Sequence, residues 1–323
     1  MYDIITIGAA TRDVFLVSNK FIAIKSKKFL TGMGECVALG SKIEIDRLVL
    51  TTGGGATNAA ATFGSLGFHT ATICRVGDDS PGKDVVEDLS RFGVSTHLVR
   101  QIKGGATAYS TILTMKDGER TVLVYRGTSA DFVTRDIPIS AITNTKWIYL
   151  TSLGGNLALA KKIIQTAHKA GVKIAWNPGH KELEEGLRAF SPLLPMINVL
   201  NINLEEATLL TGKKKLMDIF KSLHSDGLVR LVTDGTNGAT VSRDGWIAHA
   251  ATTGVKSISR TGAGDAFGSG FVAGLIKTED LHEALRVGMI NAESVITKYG
   301  AKNGILTSWP SSLKKRKVKI VDL

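Results

Sequence analysis

Residues 259–275 read SRTGAGDAFGSGFVAGL, and the fold follows from this stretch. Thr261-Gly262-Ala263-Gly264 is too small and too rich in glycine for a helix interior. From Asp265 onward, Phe267, Phe271 and Leu275 recur every four residues, one apolar stripe of a helix. Gly270 and Gly274 make a second, small stripe that lets another backbone come close. A tight turn therefore feeds the N-terminus of a buried helix. Such a terminus presents unpaired N–H groups and the positive end of the dipole, so it holds anions. Glycines let phosphate oxygens reach the backbone. A carboxylate here repels phosphate unless it has a task. The task that fits Asp265 is general base, taking the proton of a hydroxyl that attacks phosphorus. The same residues also read as a plain glycine turn with Asp265 capping a helix.

A second stretch narrows the choice. Residues 53–67, GGGATNAAATFGSLG, again run glycines into a helix, with Asn58 in its first turn. The GAGD box and the GG-x-x-x-N box, in this order, resemble the two signatures of the ribokinase/PfkB carbohydrate kinase family, and the resemblance covers nearly the whole chain. It implies a ribokinase-like three-layer α/β/α sandwich with a mostly parallel central sheet and a small β-sheet lid. It also implies ATP-dependent phosphoryl transfer to a hydroxyl of a sugar, with Mg²⁺ on the phosphates.

Composition agrees with a soluble enzyme. The chain has 323 residues, 43% hydrophobic and 21% charged, ample for a large core and unlike a disordered chain. No run approaches the roughly 18 apolar residues of a membrane span. The opening MYDIITIGAA reads as a first buried strand, not a signal peptide. The two cysteines, Cys36 and Cys74, exclude a disulfide scaffold and fit a reducing, cytoplasmic setting. The net charge of +11 permits a nucleic-acid partner. However, the basic clusters at Lys25–Lys28, Lys213–Lys215 and Lys314–Lys319 carry no interleaved aromatics for base stacking. An anionic nucleotide gains from the same field. The tail KKRKVK reads as a solvated lead into a short final strand, VKIVDL, rather than a nuclear-import signal.

In chain order, DIITIGAA (3–10) is a buried strand and Asp13 follows it. A carboxylate just past a strand's C-terminal end lies where open α/β sheets bind ligands. The resemblance makes Asp13 an acceptor of substrate hydroxyl hydrogen bonds, with Thr11 where the family often has Asn; a turn-capping loop Asp is the bland reading. Residues 14–50, with VFLV and KIEIDRLVL, are too long for a simple loop. Together with 105–126, where ATAYSTILTM and ERTVLVYR are joined by a KDG turn, they form the expected lid. The lid spans about 12–50 and 103–126, inserted in one domain of residues 1–323. Phe15, Phe21 and Phe29 line the lid or pack inside it.

By the same resemblance, Gly54 and Gly55 offer N–H groups to the sugar and Asn58 binds a hydroxyl. Arg126, in VYRGTSA, matches a stretch in which sugar-acid kinases hold a carboxylate; it reads equally as a solvent-facing Arg at a strand end. A strand (70–76), the turn GDDSPG (77–82) and a helix (83–92) follow, then WIYL, a helix at 156–170, VKIAWNP, a helix at 182–190 and NVLNIN. That alternation indicates a mostly parallel sheet with helices on both faces. Asn177, at a strand's C-terminal end, faces the phosphate site.

NLEEATLLTG (203–212) matches the family's N-x-x-E box. Asn203 then belongs to the nucleotide site and Glu206 organises Mg²⁺ through water, since Mg²⁺ keeps several waters beside one carboxylate and phosphates. The box is also a good Asn-capped helix start. In VRLVTDGTNGAT (229–240), Thr233, Thr236 and Gly238 are candidates for nucleotide contacts, against a plain hairpin turn. The helix at 279–299 carries Asn291, a candidate for the adenine pocket, and Gly300 stops it.

The implied mechanism is in-line transfer. Asp13 and Asn58 hold the acceptor, and Asp265 accepts its proton. The N–H groups of Gly262, Ala263 and Gly264 stabilise the phosphoryl oxygens, and lid closure excludes water. No G-x-x-x-x-G-K-[ST] box is present, so this is not a P-loop enzyme. One departure matters: Ser259, Arg260 and Thr261 stand where the family commonly has D-T-T. The first Asp of that triplet belongs to a monovalent-cation site in ribokinases. Its loss argues against activation by a monovalent cation, and Arg260 is a candidate for a fixed positive charge in its place. Three alternatives stay open: an adenosine-type nucleoside kinase with lid aromatics on the base, a 2-keto-3-deoxygluconate-type sugar-acid kinase resting on Arg126, and a non-catalytic sensor. By analogy a homodimer forms through the lids.

Overall fold

In the first strand, Tyr2–Ile7, Ile4, Ile5 and Ile7 are all fully buried, because helices cover both faces of the sheet it belongs to. The strand period of two separates them. Ile5 and Ile7 join a core with Leu159, Ile163 and Ile164 of the helix Leu157–Lys169. Ile4 joins a second core with Phe63, Phe267, Phe271 and Leu285. The computed structural model describes residues 1–29, 31–115 and 119–322; the expected KDG turn lies outside the described residues.

The central sheet has nine strands. From one edge, Thr70–Ile73, Tyr2–Ile7, Thr145–Leu150, Lys173–Trp176, Val199–Asn203 and Val229–Thr233 run parallel. Ala239–Arg243, Trp246–Ala250 and Ile320–Asp322 complete it antiparallel. The expected three-layer α/β/α sandwich is present. On one face, the helix Ala263–Thr278 lies against the helix Leu281–Val295 so closely that a Cβ on Gly274 would come 2.7 Å from Ala284 Cα. The small stripe of the sequence thus seats a neighbouring helix.

Several boundaries differ from expectation. The strand expected at 70–76 divides: Thr70–Ile73 stays in the central sheet, while Arg75–Gly77 pairs with Arg100–Ile102. The next helix starts at Ser80, earlier than expected, because Asp79 Oδ1 accepts from Gly82 N at 3.0 Å and caps it. The helix expected at 182–190 is broken into His180–Leu183 and Gly186–Phe190.

A second sheet has the order Arg120–Tyr125, Ala108–Thr114, Thr11–Val17, Arg47–Gly53. It gathers strands from both segments expected to form the lid. Thr11–Val17 runs parallel to Ala108–Thr114 and antiparallel to Arg47–Gly53. Within 14–50 a separate hairpin pairs Ile22–Lys25 with Met33–Cys36. Leu48, Leu50, Leu123 and Val124 of the second sheet are exposed. Phe15 is fully buried, its ring 5.8 Å from that of Tyr299, and Phe21 is buried too. Both are packing residues. Phe29 is partly exposed beside Gly34.

Candidate active site

The glycine turns bring three distant polar side chains together. Gly54 has φ +98°, and a Cβ there would stand 2.4 Å from the Ala9 carbonyl oxygen, so the turn into the helix Gly55–Ser65 demands glycine. One turn into that helix, Asn58 Nδ2 donates to Asp265 Oδ2 at 2.8 Å. Asn58 Oδ1 is buried without a partner, leaving an acceptor for a ligand hydroxyl. Asp13 is buried on the strand Thr11–Val17 and accepts from Thr11 Oγ1 at 2.8 Å. Its other oxygen rests against Gly53, where a Cβ would lie 1.9 Å from Oδ2. Gly53 is a site residue that the sequence reading misses.

Burial raises the pKa of both carboxylates. For Asp265 the amide of Asn58 and the charge of Lys302 partly offset this, and the Asp13 charge adds to it. For Asp13 the Thr11 hydroxyl and Lys302 partly offset it. A buried aspartate above its ordinary value is a stronger proton acceptor than a solvated one.

Asp265 sits in the first turn of the helix Ala263–Thr278, whose cap, Gly262, is left-handed at φ +80° and makes no side-chain cap bond. Among the described residues the N–H groups of Gly262 and Gly264 have no acceptor, while that of Ala263 donates weakly to the Arg260 carbonyl at 3.3 Å. The Thr261 hydroxyl oxygen is likewise buried without a partner. These groups are free to meet an anion.

Beside the turn opens a cavity of about 710 Å³. Thr233, Thr236, Gly238, Arg260, Ala263 and Gly264 line it, with Phe267, Met289, Ala292 and Ile296 as apolar wall. Its volume and mixed lining suit a nucleotide-sized ligand. Arg260 also stands near Arg120 at the start of a lid strand. Burial together with the Arg260 charge holds the Arg120 guanidinium below its usual pKa, and neither Arg makes an ion pair among the described residues.

Other expected residues fall elsewhere. Asn291 does not line the cavity. It is fully buried, donating to Ala266 O at 2.7 Å and Thr62 Oγ1 at 3.3 Å and accepting from Leu306 N at 2.8 Å. It ties two helices to the C-terminal segment. Asn203 is an exposed helix cap, its Oδ1 accepting from Glu206 N at 2.8 Å while Glu206 Oε2 accepts from Asn203 N at 2.9 Å. Neither side chain lines the cavity. Asn177 spends its amide on Asn201 O at 2.7 Å. Arg126 is exposed and its guanidinium makes no ion pair or hydrogen bond among the described residues.

Glu206 is half-buried, and burial and the Asp265 charge raise its pKa. A cation beside Glu206 would offset both effects. Among the described residues no group of three or more His, Cys, Asp and Glu could hold a metal by itself, so a metal here would draw its remaining ligands from phosphate and water. A further residue lies outside every motif: Lys302, a buried lysine whose Nζ donates to Thr52 Oγ1 at 2.6 Å.

A mostly parallel α/β sheet with Asp13, Asn58 and Asp265 clustered at a glycine turn beside a nucleotide-sized cavity suits a kinase-type phosphotransferase. The family model described as pfkB family carbohydrate kinase matches residues 3–308, and the chain belongs to that family. It is 28% identical over 264 residues to the ribokinase of Haemophilus influenzae, covering 79% of this chain and 84% of the relative. It is 33% identical over 236 residues to an ATP-dependent ribose-1-phosphate kinase of Halopiger xanaduensis, covering 72% of this chain and 76% of the relative. Among solved structures, Arabidopsis thaliana ribokinase complexed with ribose and ATP shares the fold at TM-score 0.76 and 19% identity, covering 98% of each chain. Sinorhizobium meliloti adenosine kinase does so at TM-score 0.77 and 23% identity, covering 95% of this chain and 97% of that one.

Proposed function

We propose that the protein transfers the γ-phosphoryl group of ATP to a hydroxyl of a small sugar. The observation that carries this reading is the Asn58–Asp265 hydrogen bond of 2.8 Å beside the unpaired N–H groups of Gly262 and Gly264. On this reading a base, a hydroxyl-binding amide and an anion hole share one spot. Asp13 and the free Oδ1 of Asn58 orient the acceptor, with the Gly54–Gly55 turn beneath it. Asp265 removes the acceptor's proton as its oxygen attacks phosphorus, and the N–H groups of Gly262, Ala263 and Gly264 take up charge on the transferring oxygens. The ATP base and ribose occupy the cavity lined by Thr233, Thr236 and Gly238. Glu206, through water, would hold Mg²⁺, which neutralises phosphate charge. Arg260 supplies a fixed positive charge where Ser259 leaves no carboxylate for a monovalent cation.

The chain works as one ribokinase-like unit, its four-stranded sheet serving as lid over the acceptor. The exposed Leu48, Leu50 and Leu123 on one face of that sheet favour a homodimer joined through the lids. Among the described residues no helix is long and apolar enough to cross a membrane, and two unpaired cysteines suit a cytoplasmic setting.

A neutral sugar is favoured over a nucleoside because Phe15 and Phe21 are packed in the core rather than free to stack on a base. It is favoured over a sugar acid because Arg126 is exposed. A second reading, a sugar that already bears a phosphate, is supported by the unpaired Arg120 and Arg260 and by the ribose-1-phosphate kinase relative. The test is ADP release from Mg-ATP across pentoses, hexoses, sugar phosphates, sugar acids and nucleosides, beside Asp265→Asn. Turnover with a single acceptor class, lost in the variant, supports the reading. Equal turnover in both proteins removes Asp265 as the base.

A further inference from the structure

Three consecutive residues near the C-terminus reach different parts of the site. Gly300 lies so close to Thr51 that a Cβ there would come within 3.1 Å of its side chain. Ala301 covers Gly262, where a Cβ on the glycine would sit 2.3 Å from the alanine Cβ. Lys302 turns inward, 3% exposed. Its Nζ donates to Thr52 Oγ1 at 2.6 Å and lies 3.6 Å from Asp88 Oδ2, and Thr52 Oγ1 in turn donates to Asp88 Oδ2. Thr52 immediately precedes Gly53, against which the Asp13 carboxylate rests. Gly262 opens the helix that carries Asp265. Residues 300–302 therefore strap the acceptor side of the site to its anion-binding side.

Burial lowers the pKa of Lys302, and the charges of Asp88 and Asp13 oppose that; a buried ammonium is costly unless carboxylates face it, and an apolar side chain of similar length would fill the same space more favourably. The carboxylates that feel this charge come from three elements: Asp88 on the helix Ser80–Arg91, Asp13 on a lid strand and Asp265 on the anion-binding helix. Cys74 also faces Lys302, but burial pushes its thiol up to about 12, so it stays neutral. Arg12, next to Asp13, is engaged with Asp84 at 3.1 Å. The other titratable groups in the field of Asp265, Glu206 and Tyr149, carry no positive charge.

We propose that Lys302 is a positioning residue of the transfer site: anchored on Thr52, its ammonium holds the Asp13 strand against the 262–265 turn and supplies a buried positive charge shared by Asp13 and Asp265. The proposal rests on the phosphotransfer reading above for its catalytic meaning, while its charge relationships are testable without turnover.

The variants are Lys302→Met, which keeps the length and removes the charge, and Asp88→Asn/Lys302→Met, which also removes the facing carboxylate and guards against a failure to fold. Carboxyl titrations are followed by ¹³C NMR on protein labelled at the aspartate carboxyl carbon, with Asp13→Asn and Asp265→Asn for assignment. Loss of a nearby opposite charge should move the Asp13 and Asp265 titrations up by about one pH unit in whichever variant folds. With Mg-ATP and a sugar that the wild type phosphorylates, the acid limb of kcat/KM should move with them, a loss of about tenfold at pH values below the limb. Titrations that stay in place in folded protein overturn the proposal, whatever happens to Tm. If the wild type phosphorylates no member of the panel, the phosphotransfer reading fails, and the carboxyl titrations still decide the place of Lys302.

Discussion

Asn58 and Asp265 stand 207 positions apart in the chain and 2.8 Å apart in space, the amide Nδ2 donating to carboxylate Oδ2. That bond joins the two glycine-led helices and stabilises the charged form of a carboxylate whose burial works the other way. If Asp265 is the base proposed above, Asp265→Asn should lower kcat by about 100- to 10,000-fold and leave ATP binding, measured by calorimetry, close to wild type. Asn58→Leu should act differently. Without the amide, Asp265 stays protonated to higher pH, so the acid limb of the kcat profile moves upward and activity partly returns in alkaline buffer.

Asp13 gives a stability test of the same physics. Its folded pKa is raised, chiefly by burial. Ionisation is therefore harder in the folded state, and the associated stability is complete below the unfolded value and lost as pH rises through the folded one. Asp13→Asn, whose carbonyl can still accept from Thr11, should match wild type in acid and melt higher at pH 8. Each pH unit by which the folded value exceeds the unfolded one is worth about 1.4 kcal/mol, roughly 2 °C in a chain of this size. A Tm difference that does not vary with pH would contradict the assigned cause.

Asn291 separates structure from binding. Its side chain satisfies Ala266 O and Leu306 N in a fully buried place. Unmade buried hydrogen bonds cost about 1–3 kcal/mol each. Asn291→Leu should therefore lose about 3 kcal/mol or more, seen as a fall of about 4 °C or more in Tm, with the KM for ATP unchanged. A raised KM at an unaltered Tm would return Asn291 to the nucleotide site.

These outcomes bear on what could be read before the structure. The sheet was legible because its strands are near-continuous apolar runs, buried from both sides, as in Tyr2–Ile7. That Asp13, Asn58 and Asp265 would come together was legible because each sits within a few residues of a glycine turn or strand end, where local pattern fixes its place. Asn291 was not, because Leu281–Val295 is buried around most of its circumference, and helical phase then assigns no single face to a cavity. Lys302 was hidden for a related reason. A lysine in a glycine-containing loop normally leads its charge to water, and only the packing of residues 300–302 between two distant turns sends it inward. The lid aromatics stayed open for the same reason: a phenylalanine on a half-covered strand fits a packing role and a stacking role until its neighbours are known.

Arg260 lines the cavity beside the 262–264 turn, next to Ser259. If it serves the phosphates directly, Arg260→Ala should raise the KM for ATP by about tenfold, the equivalent of one hydrogen bond to a charged group of about 1.4 kcal/mol. The steepness with which sodium chloride inhibits should fall. Potassium should not activate the wild type relative to a large organic cation. Unchanged KM and salt response would show that the guanidinium serves neither the phosphates nor the missing ion.

The second sheet poses the last question, that of assembly. Leu48 and Leu50 lie on one edge strand and Leu123 on the opposite one, all on one face of the sheet because Leu50 is in register with Val14, Thr111 and Leu123, and all more than half exposed. Apolar side chains gathered on one sheet are the usual sign of a covered surface, and a two-fold pairing would bring the same patch of a second copy against them. Leu123→Glu with Leu50→Glu would place charges in that contact. Sedimentation velocity should then show a dimer for the wild type and a monomer for the double variant, with Tm little altered because neither residue is in the core. A wild-type monomer at micromolar concentration would show instead that these side chains serve the lid alone, and the KM of the acceptor in the double variant would report on that service.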